Sequence, residues 1–271
     1  MEIKRVGFIG AGNVSDAMIR GFIVSGYLDP GQIIISDVDQ ERLLAMHRSL
    51  GPAMARDNRA NAERADVLFL SVKPNLVETV AAEIREVVRP EQYVISVAAG
   101  KSLANIQDAL GGGPLTCRIM PNLLATVRQS TIGLFADQSV TTEKLAPIFA
   151  LLSRVGRVFR IEEESQMAVI TALSGSAPAY YVMMAEALVE YGVSQGLPRE
   201  QATDMILGTM QGSAAWAAGA KISLKELWQK VVTPGGTTAA GIDFYRESGF
   251  LDIFLQGLDR STRRAREMGD K

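Results

Sequence analysis

The stretch Val6-Gly7-Phe8-Ile9-Gly10-Ala11-Gly12-Asn13-Val14-Ser15 joins a short apolar strand to a helical pattern, and it decides the fold. Gly10 permits a tight turn, Gly12 lets the backbone approach a pyrophosphate, and Ser15 is the small residue needed where helix packs close to strand. The start of the helix offers free N–H groups to phosphate. The pattern predicts a dinucleotide site. Its loop contacts are predicted to be Gly10, Ala11, Gly12, Asn13 and Val14.

Asp37 follows a second predicted strand and lies 22 residues beyond Ser15, where a carboxylate usually binds the adenosine ribose hydroxyl groups. Such a carboxylate repels a 2′-phosphate, and the nearest guanidinium, that of Arg42, belongs to the next predicted helix. The sequence therefore favours NADH over NADPH. In the alternative interpretation, Asp37 only caps the helix that begins near Asp39.

Short β-branched runs alternate with helical patterns through the first 160 or so residues, whereas only helical patterns follow Glu164. The predicted fold class is α/β: an N-terminal Rossmann-type doubly wound sheet at 1–163 and an all-helical dimerisation domain at 164–271. The predicted strands are Arg5–Ile9, Gln32–Ser36, Val67–Val72, Tyr93–Val97, Leu115–Met120, Thr131–Ala136 and Arg157–Ile161. The predicted helices of the first part are Asn13–Ser25, Asp39–Ser49, Leu76–Val88, Leu103–Leu110 and Thr142–Leu152.

Composition excludes several classes of function. The 271 residues carry a net charge of −2, which gives no basic field for a nucleic-acid partner. One cysteine and one histidine exclude a disulfide framework and a Cys/His zinc site, and no metal site is expected. The N-terminus runs directly into a strand pattern, so no export signal is expected and the predicted location is the cytoplasm.

One apolar segment raises the question of a membrane. The segment 165–185 is free of charge, but Ser174-Gly175-Ser176-Ala177-Pro178 interrupts it and glutamates rather than Lys or Arg flank it. We therefore expect a helix buried in protein and no membrane partner. Because so apolar a helical region needs a covered face, the sequence predicts at least a dimer.

Three further loops carry candidate site residues. Val72, Lys73 and Pro74 end the third predicted strand, and Ala98 and Ala99 follow the fourth, where ligands of open α/β sheets bind. The third loop is Thr233-Pro234-Gly235-Gly236-Thr237-Thr238, directly before a helical pattern. Its glycines and hydroxyls predict a nest of backbone N–H groups suited to a carboxylate.

The segment 232–241, Val-Thr-Pro-Gly-Gly-Thr-Thr-Ala-Ala-Gly, resembles the signature of the pyrroline-5-carboxylate reductase family. Five further motifs occur in the family's order and approximate spacing, and the resemblance covers nearly the whole chain. They are Phe8-Ile9-Gly10-Ala11-Gly12-Asn13, Val72-Lys73-Pro74, Ala98-Ala99-Gly100, Arg118-Ile119-Met120-Pro121-Asn122 and Gly175-Ser176-Ala177-Pro178-Ala179-Tyr180.

The resemblance implies reduction of L-1-pyrroline-5-carboxylate to L-proline by NADPH or NADH, the last step of proline synthesis. It implies that Asn58, Val72, Lys73 and Ala99 join the glycine loop at the cofactor. It places the substrate carboxylate on the backbone of Gly236, Thr237 and Thr238, and hydrogen-bonds the Thr238 hydroxyl to the ring nitrogen. Glu164 matches a position near the substrate, although it could equally be one of three adjacent surface glutamates. The family also contains rings of dimers.

Two alternatives stay open on the sequence. One is a reductase of another cyclic imine; a β-hydroxyacid substrate is disfavoured because 164–181 contains no lysine that could serve as its catalytic group. The other is a paralogue that binds a dinucleotide without turnover, against which the presence of Thr238 beside Gly235-Gly236 speaks.

Overall fold

The computed structural model describes residues 3–137 and 140–269. The chain divides into two compact units, each of which is described by itself. The first, called the sheet unit, lies within Met1–Pro178 and Arg260–Lys271; the second, called the helical unit, is Ala179–Asp259. The predicted domain boundary at 163/164 stays a prediction.

The sheet unit contains one eight-stranded sheet in the order β3-β2-β1-β4-β5-β6-β7-β8. All neighbouring strands are parallel except β6 and β7. The first six strands of this order form the doubly wound Rossmann arrangement, so the predicted fold class is confirmed. The strands are β1 Val6–Ile9, β2 Ile33–Ser36, β3 Ala53–Met54, β4 Val67–Leu70, β5 Tyr93–Ser96, β6 Leu115–Met120, β7 Ser130–Ala136 and β8 Gly156–Arg160.

Helices join the strands and then form the rest of the chain. The α-helices are α1 Asn13–Val24, α2 Gln40–Leu50, α3 Asn58–Arg64, α4 Val77–Ile84, α5 Leu103–Leu110, α6 Thr142–Leu152, α7 Met167–Ile170, α8 Ala177–Ser194, α9 Arg199–Gly219, α10 Leu224–Gln229, α11 Thr237–Glu247 and α12 Phe250–Glu267. Five short 3₁₀ or π turns complete the elements: Pro30–Gln32, Pro74–Leu76, Leu123–Val127, Glu164–Gln166 and Thr171–Gly175.

The side chains of β4 show how the two faces of the sheet are covered. Val67 and Phe69 belong to one apolar cluster, and Leu68 and Leu70 to the other, as the alternation along a strand requires. Phe69 stacks on Phe8 of β1 with the ring centroids 4.6 Å apart. The first cluster includes side chains of α1 and α6, and the second includes side chains of α4 and α5. Burial on both faces holds the strand ends in fixed positions.

Cys117 of β6 is fully buried, and burial raises the pKa of its thiol to about 12. Because the thiolate is the nucleophile, we expect an aromatic disulfide reagent at mildly alkaline pH to label the native protein at least roughly 10²-fold more slowly than the unfolded protein. Above the ordinary value of 9.0, the folded state should lose stability progressively as pH rises toward about 12, because only the unfolded thiol ionises there. Cys117→Ser is the control without signal. Rapid stoichiometric labelling in native buffer would contradict the burial.

The helical unit exposes much of its apolar surface. Ala202 is the buried residue of α9, and 206–220 contains no charged residue. The large apolar side chains exposed on α8 and α9 are Tyr181, Val182, Met183, Leu188, Tyr191, Met205, Leu207 and Trp216. A surface of this kind marks an interaction face.

Among the described residues, one helical segment, Glu164–Ser194, is long and apolar enough by length and composition to cross a membrane. The core helix of a soluble protein passes the same test, so this finding alone is weak evidence for a span.

Candidate functional site

A cavity of about 1010 Å³ lies in the sheet unit where β1, β2, β4 and β5 end. We call it the glycine-loop cavity. Open α/β sheets bind their ligands at this edge. Of the twelve residues predicted to bind a cofactor, eleven line the cavity: Gly10, Ala11, Gly12, Asn13, Val14, Asp37, Val72, Lys73, Pro74, Ala98 and Ala99.

The glycine loop has the backbone geometry that its sequence predicts. Gly10 has φ +104°, and a Cβ there would lie 2.5 Å from the Ser71 carbonyl oxygen. The buried Ser15 hydroxyl donates to the Gly10 carbonyl over 2.6 Å, which ties the turn to the first turn of α1. Gly12 is the N-cap of α1, and a Cβ there would meet no atom within 4 Å. The helix N-terminus is thus open to a ligand at the place where a pyrophosphate needs close backbone approach.

Asp37 extends from the end of β2 to this loop. Its Oδ2 accepts from the Ala11 N–H over 2.6 Å, and its Oδ1 accepts from the Asp39 N–H over 2.9 Å. The N-cap of α2 is Asp39, whose side chain accepts from the Arg42 N–H. The capping role considered for Asp37 therefore belongs to Asp39, and the Asp37 carboxylate remains part of the cavity wall.

Asn58, the twelfth predicted residue, is absent from the described lining of the cavity. Its Oδ1 accepts from the Ser36 hydroxyl over 2.9 Å, and its Nδ2 donates to Glu83 over 2.8 Å. The buried Asn61 donates to the same Ser36 oxygen and to the Phe8 carbonyl. Asn58 thus belongs to a polar network that joins α3 to the ends of β1 and β2.

The sequence did not predict Met268 as a part of this cavity. Met268 lines the cavity beside the residues that follow β5. At that point Gly100 has φ +87°, and a Cβ on it would collide with the backbone of Gly269. No local pattern could have indicated this contact between residues so far apart in the sequence. Glycine at both 100 and 269 permits the close approach of the two segments, but glycines alone do not indicate which segments touch.

Glu164 lies in a second cavity of the sheet unit, of about 270 Å³. Its Oε1 accepts from the Arg118 guanidinium over 2.5 Å and from the Leu103 N–H over 2.6 Å. Arg118 is buried, and its Nε has no hydrogen-bond partner among the described residues. Glu162 and Glu163 are exposed, as a run of surface glutamates would be, whereas Glu164 is half-buried and paired.

In the helical unit, the predicted anion loop precedes α11. Gly235 has φ +71°, and the Gly236 N–H donates to the Thr233 carbonyl over 2.9 Å. Gly236 is the N-cap of α11, and a Cβ there would collide with the Thr233 hydroxyl. Thr237 and Thr238 are the first two residues of the helix. Their backbone N–H groups belong to the helix start, where an α-helix has no carbonyl partners of its own to offer.

Comparisons with known proteins cover the whole chain. A model of the pyrroline-5-carboxylate reductase dimerisation region matches residues 164–268, and a model described as NADP oxidoreductase coenzyme F420-dependent matches residues 5–100. The pyrroline-5-carboxylate reductase of Methanosarcina acetivorans is 34% identical over 271 residues, with all of both chains covered. That of Pseudomonas aeruginosa is 33% identical, covering 100% of this chain and 99% of the relative.

A solved structure agrees with these relatives. The pyrroline-5-carboxylate reductase of Coxiella burnetii has a TM-score of 0.85 and 32% identity, covering 98% of this chain and 99% of that chain. Identity above 30% over full length, on a common fold and with the glycine loop in place, leaves no other assignment. This chain belongs to the pyrroline-5-carboxylate reductase family of oxidoreductases.

Proposed function

We propose that this chain reduces L-1-pyrroline-5-carboxylate to L-proline with a hydride from NADH or NADPH, as the last step of proline synthesis. The observation that carries the proposal is the glycine-loop cavity, lined by eleven of the predicted cofactor residues in a chain of this family. The names of the relatives supply the substrate.

The residues of the cavity fit a dinucleotide. Gly12 leaves space at the N-terminus of α1, where backbone N–H groups and the helix dipole favour a pyrophosphate. Asp37 offers carboxylate lone pairs to ribose hydroxyl groups. Lys73 adds a positive charge at the end of β4, and the small side chains of Ala98 and Ala99 leave room for a flat ring beside the backbone.

The start of α11 is the proposed substrate site. The backbone N–H groups of Thr237 and Thr238, beside the N-cap Gly236, would bind the substrate carboxylate, because a helix N-terminus attracts anions. Glu164 of the sheet unit is a further proposed substrate contact, on the family resemblance alone. Its ion pair with Arg118 fixes the direction of its carboxylate.

The proposed reaction requires few chemical groups from the protein. A cyclic imine protonated on nitrogen is already electrophilic at its imine carbon, the ring carbon that does not bear the carboxylate, and bound NAD(P)H would supply the hydride. As this carbon gains the hydride, the electron pair of the C=N bond moves to nitrogen and becomes a lone pair. The Thr238 hydroxyl is then able to donate to that lone pair. The remaining task of the protein is alignment of the two reactants.

The direct test follows absorbance of the reduced nicotinamide with and without pyrroline-5-carboxylate. We expect oxidation that depends on this substrate and formation of proline in equal amount. Dinucleotide binding without turnover would overturn the reductase proposal in favour of a non-catalytic paralogue. Turnover only with a different cyclic imine would replace the substrate.

We further propose that the chain acts as a homodimer in the cytoplasm, with assembly into a ring of dimers as the family resemblance implies. The family model that matches residues 164–268 is described as a dimerisation region, and the helical unit exposes a broad apolar face on α8 and α9. A second copy of this chain covers such a face without a membrane.

Leu207→Asp is expected to weaken the dimer by roughly 10²-fold or more, because Leu207 is 54% exposed on the uncharged part of α9 and a buried unpaired carboxylate is costly. Light scattering coupled to size exclusion measures the mass over a dilution series. Gln201→Asp, at an exposed position in the first turn of the same helix, is the matched control and should retain the wild-type mass. A Leu207→Asp protein with wild-type mass at all concentrations would contradict the proposed interface.

A further inference from the structure

The carboxylate of Asp37 is held in place before any ligand arrives. Backbone N–H groups of Ala11 and Asp39 donate to its two oxygens, over 2.6 and 2.9 Å. Each oxygen of a carboxylate keeps a further lone pair after accepting one hydrogen bond. Because Asp37 lines the glycine-loop cavity, its negative charge and its free lone pairs have a fixed position beside the phosphate-binding loop.

The guanidinium groups in the same wall of the cavity are already paired. Arg20 donates to both oxygens of Asp16, over 2.7 and 3.1 Å, and also to the Ser49 hydroxyl. The pKa of Arg20 is raised, chiefly by its hydrogen bond to Asp16. Arg42 lies 3.8 Å from Asp39. In the described wall formed by α1, the end of β2 and α2, the carboxylates of Asp16, Asp37 and Asp39 outnumber these two guanidinium groups.

The side chain of the residue after Asp37 adds no donor. Val38 also lines the cavity, and its side chain is 92% exposed and apolar. A 2′-phosphate is recognised by cations, hydroxyl groups or N–H groups at the end of this strand, since it brings only acceptor oxygens. Here it would meet a carboxylate held by two backbone hydrogen bonds and the apolar side chain of Val38.

We propose that Asp37 makes this chain select NADH over NADPH, by accepting hydrogen bonds from the adenosine ribose hydroxyl groups and by repelling a 2′-phosphate. The inference rests on the proposed placement of the dinucleotide in the glycine-loop cavity. It runs against the NADP in the description of the family model that matches residues 5–100. A phosphate monoester carries a charge between about −1.5 and −2 at neutral pH, so one adjacent carboxylate is enough to disfavour it.

Equilibrium binding without substrate tests the inference. The purified full chain is titrated with NADH and with NADPH at about 0.1 M salt, with the nucleotide fluorescence as the signal. ADP-ribose and its 2′-phosphate serve as competitors that lack the nicotinamide. We expect both pairs to show the unphosphorylated ligand binding at least roughly tenfold more tightly.

Three variants separate Asp37 from its surroundings. Asp37→Asn removes the charge but keeps an amide oxygen for the Ala11 N–H, and it should reduce the ratio of the two dissociation constants by roughly tenfold. Asp39→Asn removes a charge two residues away and preserves the cap of α2, since Asn is as good an N-cap. It should change the ratio less than about threefold, because its carboxylate is already compensated by Arg42. Arg42→Gln should also leave the preference for NADH.

Each outcome decides the matter. Equal or tighter binding of NADPH by the wild type overturns the inference. An equal effect of Asp37→Asn and Asp39→Asn on the ratio of dissociation constants also overturns it, because the preference would then reflect only the summed negative charge of the cavity wall. A loss of NADPH binding confined to Arg42→Gln would assign the phosphate to Arg42 instead. Absence of binding by either dinucleotide overturns it as well. Selective NADH binding without turnover of pyrroline-5-carboxylate would support the inference and remove the proposed reaction, so the two fail separately.

Discussion

Replacement of Thr238 by alanine is expected to lower kcat about 10²-fold and to change KM for pyrroline-5-carboxylate by less than about threefold. Removing a hydrogen-bond donor whose acceptor electron pair develops only in the transition state costs on this scale. The hydroxyl gains its acceptor only as the ring nitrogen acquires a lone pair, so the loss falls on kcat. Thr238 lies in the first turn of α11, where the helix is fixed by its start at Gly236. Steady-state oxidation of NADH over a range of substrate concentrations gives both constants.

Two variants control this result. Thr238→Ser keeps the hydroxyl and should recover kcat to within about fivefold of the wild type. Thr237→Ala removes the neighbouring hydroxyl but retains the backbone N–H groups, so its kcat should stay within about threefold of the wild type. Equal losses for Thr237→Ala and Thr238→Ala would indicate damage to the start of the helix. A wild-type kcat for Thr238→Ala would remove the hydroxyl from the proposed chemistry.

The positions of the main strands could be predicted because buried parallel strands have distinctive sequences. Val67-Leu68-Phe69-Leu70 is apolar on both faces, and the structure buries all four side chains completely. The edge strand β3 and helix α3 were not predicted. Ala53–Met54 is only two residues long and half-exposed. The only apolar residues of Asn58–Arg64 are alanines. Neither segment therefore shows a hydrophobic period. The structure instead anchors α3 through the hydrogen bonds of Asn61.

The glycine-loop cavity could be predicted because a short continuous motif forms its phosphate-binding part. Its loop residues are contiguous, and their roles depend on backbone conformation, which glycine reveals. The contact of Met268 with the cavity and the pairing of Arg118 with Glu164 depend on tertiary packing across more than forty residues. A single sequence gives no distance between such residues. Asp39 shows a different limit, since two aspartates near a helix start fit a cap equally well until the Arg42 N–H identifies its partner.

The two glycines of the loop should fail in different ways when alanine replaces them. At Gly10, φ is +104° and the added Cβ would lie 2.5 Å from a backbone oxygen of Ser71. A positive φ costs an L-residue about 1–2 kcal/mol, and the collision adds about 1–3 kcal/mol because the neighbouring strand end cannot move freely. We therefore expect Gly10→Ala to lower the free energy of unfolding by about 2–5 kcal/mol, measured by urea denaturation, and to abolish NADH binding as the loop moves.

At Gly12 the backbone is in a region open to every residue, with φ −81°, and an added Cβ would meet no protein atom within 4 Å. Gly12→Ala should therefore cost at most about 1 kcal/mol of stability, since alanine is a poorer N-cap than glycine. Its methyl group would nevertheless occupy the space that the pyrophosphate requires, so NADH binding should weaken at least roughly tenfold. Normal NADH binding by a stable Gly12→Ala protein would mean that the phosphates lie elsewhere. Equal destabilisation of both variants would mean that protein atoms surround Gly12, because a loss of stability that large requires a collision of the new methyl group with protein.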